Sequence, residues 1–202
     1  MRVRATKAIF RNIPFEPRHL TDPRELRAVA HPVRLNLIEA LAEHGPLTAT
    51  EAAGHVGESP SSCSWHLRQL EKFGFVEEAG KAAGRRRPWR LTSHGLSFTV
   101  DDTQDPETQA AGRALERLFA DRYLDRAARG LQARPGLPTA WQRATGTNQF
   151  VLHVTPQELE ALNDEVVAVL SRYYDRVLDP AQRPDDARTI EAVLFTYPRD
   201  DA

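Results

Sequence analysis

The 202-residue chain can bury one large core or two small ones, and its 27% charged and 41% hydrophobic residues are ordinary for a globular protein. No run approaches the roughly 18 apolar residues of a membrane span, and the N-terminus lacks a signal-peptide apolar stretch, so the expectation is a cytoplasmic protein. The single cysteine, Cys63, excludes an intrachain disulfide and any multi-thiolate metal centre.

The net charge of −1 conceals a division. Residues 1–100 carry 15 Lys+Arg against 10 Asp+Glu, whereas residues 101–202 carry 12 against 18. A basic half joined to an acidic half points to a polyanionic partner for the first half alone.

Residues 1–20 read as an extended arm, with one strand expected at Ala8–Ile13. The first helix is expected at Asp22-Pro23-Arg24-Glu25, where Asp22 caps, Pro23 suits the first turn and Glu25 stands at the capping-box position. His31-Pro32 breaks it. A second helix follows, with Leu35, Leu37, Ile38 and Leu41 inward, and stops at Gly45-Pro46. Thr48-Ala-Thr-Glu51 is a capping box for a short third helix ending at Gly57.

Ser59-Pro60 opens a fourth helix, which runs to Gly74. Cys63, Leu67, Leu70 and Phe73 fall on its buried stripe, which leaves Ser61, Ser62, Trp65, Arg68 and Gln69 outward. Two alternating stretches, Phe75–Glu78 and Pro88–Leu91, flank a Gly/Lys/Arg-rich segment and read as a β-hairpin with a basic tip.

Beyond an acidic linker at Asp101–Pro106, a long helix is expected from Pro106 to Leu131, then a turn-rich break. Phe150–Val154 reads as a strand. Thr155-Pro156-Gln157-Glu158 opens another helix, whose stripe Leu159, Leu162, Val166, Val169, Tyr173 and Val177 is close to a heptad seam. That stripe fits an intradomain core or a dimer interface. Val193–Tyr197 reads as a final strand. The fold class expected is mainly α with small β (α+β): an arm over 1–20, a DNA-binding head over 21–100 and a C-terminal dimerisation or effector domain over 101–202.

Two helices joined by a tight turn, the second capped by Ser-Pro, meet the needs of a recognition helix. Its first turn must carry short hydrogen-bonding side chains to enter a major groove, and Ser61, Ser62 and Ser64 do so. The free amides behind Ser59 favour a phosphate. Trp65 suits a sugar or thymine methyl, and Arg68 lies one turn on. Arg85, Arg86 and Arg87 at the hairpin tip suit a minor groove or phosphates. His66, between the outer face and the core edge, fits packing or a DNA contact equally.

The stretch LRAVAHPVRLNLIEALAEHGPLTATEAAGHVGESPSSCSWHLRQLEKFGFVEE resembles the winged helix-turn-helix of ArsR-like bacterial transcriptional regulators. The resemblance rests on Ala30-His31-Pro32-x-Arg34, the Ser-x-x-x-x-His-Leu-x-x-Leu recognition helix and the Gly-aromatic-Val leading into the wing. It covers residues 25 to about 98. It implies a homodimer on a palindromic operator in double-stranded DNA, usually repressing, with contacts from Ser61, Ser62, Ser64, Trp65, His66 and Arg68 and from Arg85–Arg87. Relatives that sense thiophilic metals carry Cys-x-Cys in the preceding helix. Here that stretch is TEAAGHVG, and thiolate sensing is excluded.

No nucleophile–base pair, phosphate cradle or paired catalytic carboxylates appear, so neither an enzyme nor a cofactor is expected. In the acidic half, Trp141, Phe150, Tyr173 and Tyr174 are candidates for a pocket holding a small organic effector. The competing reading is a winged-helix protein-interaction module without specific DNA binding.

Overall fold

The computed structural model describes residues 17–80 and 87–199. The expected strand at Ala8–Ile13 and the tip residues Arg85 and Arg86 lie outside them. A short strand β1, Arg18–Leu20, leads into α1, Pro23–Val29. Asp22 caps α1 by accepting the Arg24 amide at 2.7 Å. Glu25 pairs instead with Arg18 at 2.5 Å, so the capping box expected there gives way to an ion pair that ties β1 to α1.

Helix α2, Pro32–His44, begins at His31, whose Nδ1 accepts the Val33 amide at 3.2 Å. Helix α3, Ala49–Val56, opens on the reciprocal Thr48–Glu51 capping box and stops at Gly57, whose φ of 72° is left-handed. Helix α4, Pro60–Lys72, is capped by Ser59 Oγ, which accepts the Ser62 amide at 3.1 Å. Leu26, Val29, Leu37, Cys63, Leu67 and Leu70 meet in one core with almost no exposed surface.

The wing is an antiparallel hairpin of β2, Val76–Glu78, and β3, Trp89–Leu91, with Val76 opposite Leu91. Leu47 adds a one-residue third rung, donating to the Trp89 carbonyl at 3.0 Å and accepting the Trp89 amide at 2.7 Å. Strand β4, Leu96–Phe98, returns to pair in parallel with β1. This places part of the supposed arm inside the head.

Helix α5, Pro106–Ala133, starts beyond the acidic stretch at 101–105 and packs its first turns back on the head. Thr108, Ala111, Gly112 and Leu115 are buried against α1 and the head core, and Arg27 meets Glu107 at 2.5 Å. Gly112 permits this approach, because a Cβ there would stand 2.5 Å from Val100 Cγ2. Gly112→Ala should therefore destabilise the head. A β-branched side chain cannot swing aside freely, and the overpacking cost of ~1–3 kcal/mol outweighs the ~1 kcal/mol gain in helix propensity. Thermal melting checks this, and a raised Tm would contradict it. Further along α5, Arg122 and Arg126 clasp Glu39 of α2, with Arg126 at 2.8 Å from that carboxylate and 3.0 Å from Glu191.

The rest of the chain is different in kind. It contains α6, Thr139–Ala144, then α7, Pro156–Ser171, with its Thr155–Glu158 capping box, and α8, Asp175–Leu178. None of the three has a buried residue, nor has any residue from Glu116 to Arg199. The stripe from Leu159 to Val177 runs along α7, through the turn at Tyr173 and into α8, with Leu159, Leu162 and Val166 half-buried. The strands expected at Phe150–Val154 and Val193–Tyr197 are not formed among the described residues, where neither stretch makes the backbone ladder bonds that a strand requires. The architecture is mainly helical with two small sheets, a winged helix-turn-helix followed by a helical C-terminal region. Among the described residues, no helix is long and apolar enough to cross a membrane.

Candidate nucleic-acid interface

Helix α4 sorts its side chains by the ~100° step of an α-helix. Cys63, His66, Leu67 and Leu70 face inward and are buried. Ser61, Trp65 and Arg68 face outward at spacings of four and three, and Trp65 is 57% exposed. Ser62 and Ser64 are half-buried on the flanks of that stripe. Lys72 continues it one turn beyond Arg68 and is exposed. Lys72 is not among the residues expected to face outward, although its i+4 spacing from Arg68 places it there.

At the start of α4, the Ser59 and Ser61 hydroxyls lie 3.0 Å apart, and Ser59 is already engaged in capping. The first-turn amides not taken by Ser59 point outward, as at any helix N-terminus. Arg68 forms no ion pair among the described residues, so its guanidinium is available to a new acceptor. The Trp65 indole stands edge-on to the His66 ring, with centroids 4.7 Å apart, and this packing fixes its outward direction.

His66 itself belongs elsewhere. It is 7% exposed, and its ring centroid lies 4.5 Å from that of His31. The side chain therefore packs beneath α4, and its burial removes it from the outward set. Its Nδ1 and the Arg34 Nε are buried without a hydrogen-bond partner. Burial first, then the neighbouring Arg34 guanidinium, holds His31 below the ordinary histidine pKa. Burial does the same for His66, with His31 and Arg34 adding to it. Glu58 opposes both shifts weakly. Burial pushes the Cys63 thiol up, in keeping with packing rather than reactivity.

This pair carries a pH consequence with a definite sign. Both imidazoles fold as the neutral form, so the unfolded chain binds more protons as pH falls through about 6.5. Their contribution is complete above the unfolded-state pKa and is lost as pH drops through the lower folded-state value. Protonating His31 Nδ1 would also remove the acceptor that caps α2. Melting from about pH 7.5 to 5 should show a falling Tm, with a shallower fall in a variant carrying His31→Asn and His66→Gln. Equal slopes for the two proteins would contradict the assignment.

The wing stands beside this face. Arg87 is exposed and pairs with Glu78, and Arg90 pairs with Glu77 at 2.6 Å. Trp89 turns inward and anchors the hairpin on Leu47. Thr92 Oγ1 donates to the Gly74 carbonyl at 2.7 Å, locking the exit of the wing to the end of α4. Arg18 lies over the Phe75 ring, 4.3 Å from its centroid, and braces the hairpin from the other side.

The aromatic candidates for an effector pocket are at most half-buried. Phe150 is 79% and Tyr173 59% exposed, Trp141 sits under Arg188, and Tyr174 is only half-buried. An open cleft of about 450 Å³ lies elsewhere, between α2–α3 and α5, lined by Glu39, His44, His55, Arg122 and Arg126 among others.

Residues 29–79 match a helix-turn-helix domain family. No curated protein matches the chain. A solved structure described as a transcriptional regulator is 21% identical over 75% of this chain and 86% of its own, with a TM-score of 0.27, at which nothing is carried across. The stretch from the end of α1 to β2, which contains α2, α3 and α4, is a helix-turn-helix domain.

Proposed function

We propose that this protein is a sequence-specific regulator of transcription that binds double-stranded DNA as a homodimer. In this reading α4 lies in the major groove and the wing flanks it. The observation that carries the reading is the two-sided character of α4. Its inner face is locked into the head core, while Ser61, Trp65, Arg68 and Lys72 stand outward in line. A rigid helix presenting short polar groups at its start and cations further on fits the spacing of base edges and phosphates. Ser59, Ser62 and Ser64 complete the first turn. The hairpin tip, Arg85, Arg86 and Arg87, is proposed to contact phosphates or the adjacent minor groove. Repression of the genes beside the site is the expected outcome.

The test is selection of bound fragments from genomic DNA, followed by competition against random duplex. The reading expects a site of two half-sites about one helical turn apart, bound ~10³-fold or more tighter than random sequence. No fragment exceeding random DNA by about tenfold would instead favour the protein-interaction module.

A further inference from the structure

Among the described residues, seventeen large hydrophobic side chains are exposed, and sixteen of them lie at Leu124 or beyond; the other is Trp65 on α4. At on the order of 80 Å² each, those sixteen present about 1,300 Å² of apolar surface. That exceeds the ~800 Å² per partner of a standard protein interface. They concentrate in two extended segments, residues 147–154 (TNQFVLHV) and 189–197 (TIEAVLFTY), and on α7–α8. Phe150 and Tyr197 are 79% and 74% exposed. Neither segment forms a strand or a backbone hydrogen bond among the described residues.

Both segments have strand composition and almost no charge. The single carboxylate, Glu191, is occupied by Arg126 at 3.0 Å. Uncharged apolar strands are not left bare in stable proteins, because their free N–H and C=O groups recruit another strand. We propose that residues 147–154 and 189–197 become β-strands by pairing with a second copy of the chain. A sheet shared between two protomers results, covered by the apolar face of α7. Several features identify the occupant as a second copy. The exposed area is too large to await a transient partner, and an identical chain is always present in equal amount. An antiparallel strand on a two-fold axis is also complementary to itself. The proposal rests on the homodimer of the preceding section and specifies what joins it.

Hydrogen exchange of the full-length protein, read with light scattering across a dilution series, tests this. The dimer should show amides of 150–154 and 193–197 slowed on the order of 100-fold, with that slowing lost on dilution to monomer while α2 and α4 stay protected. A second measurement uses Val151→Pro with Leu194→Pro, which removes two ladder donors and should weaken dimerisation by on the order of 100-fold. Fast exchange in both segments of a dimer, protection that persists in a monomer, or an unchanged dimer in the proline variant would each overturn the proposal. A protected dimer that prefers no DNA sequence would sink the regulator reading alone. A monomer that binds one duplex selectively would sink this one alone.

Discussion

Leu67→Ala is expected to lower the stability of the head by about 2–5 kcal/mol, the range for a buried leucine truncated in a well-packed core. Leu67 has no exposed surface and lies where α4 packs on α2 and α3. Neighbouring core residues such as Leu37 and Leu70 are equally buried and held by their own helices, so the cavity cannot collapse cheaply. A domain with about 5–15 kcal/mol in hand would lose a large share of it, and Tm should fall by on the order of 10 °C or more. Ser61→Ala, on the outward face, should stay within about 0.5 kcal/mol. Melting curves of the two variants check the assignment of faces. A Leu67→Ala shift below about 4 °C would contradict it.

On that scaffold, Arg68→Ala is expected to cost about 1–3 kcal/mol of binding to a selected duplex, a loss of roughly 5- to 150-fold, and to relax sequence preference at one position. Arg68 is exposed and unpaired among the described residues, so its removal leaves no buried partner stranded and the fold is untouched. Trp65→Ala should give a loss of similar size, because its indole is the large apolar side chain that α4 leaves exposed. Lys72→Ala should behave differently. Losing a phosphate contact weakens binding to all sequences alike and lowers the salt slope by about one unit. Fluorescence anisotropy on selected and random duplexes at several salt concentrations separates these cases. Unchanged affinity for both Arg68→Ala and Trp65→Ala would remove α4 from the interface.

Much of the head was legible because its signals are local. Asp22-Pro23, Thr48 with Glu51, Ser59-Pro60 and Thr155-Pro156 with Glu158 each mark a helix start within a few residues, and each start was found where expected. The buried stripe of α4 followed from its 3.6-residue period, with His66 on the inner side of a boundary that spacing alone left open. Pairings between distant segments were not legible. β1 meets β4 across 78 positions, and Leu47 meets Trp89 through a single rung, too short to leave a periodic trace. The stretch near Asp101 shows the same limit. Polarity marks a loop there correctly, but only packing shows that Ala111 and Leu115 return to α1. The C-terminal segments have the alternation of strands, yet alternation specifies a face and not the chain that covers it.

DNA binding through α4 is tested most directly by titrating the isotope-labelled full-length protein with its selected duplex, followed amide by amide. The largest shifts are expected at Ser61–Arg68, with a second group in the wing around Arg87–Arg90. Little change is expected within residues 147–197. Shifts concentrated in the C-terminal half, with α4 unmoved, would contradict it.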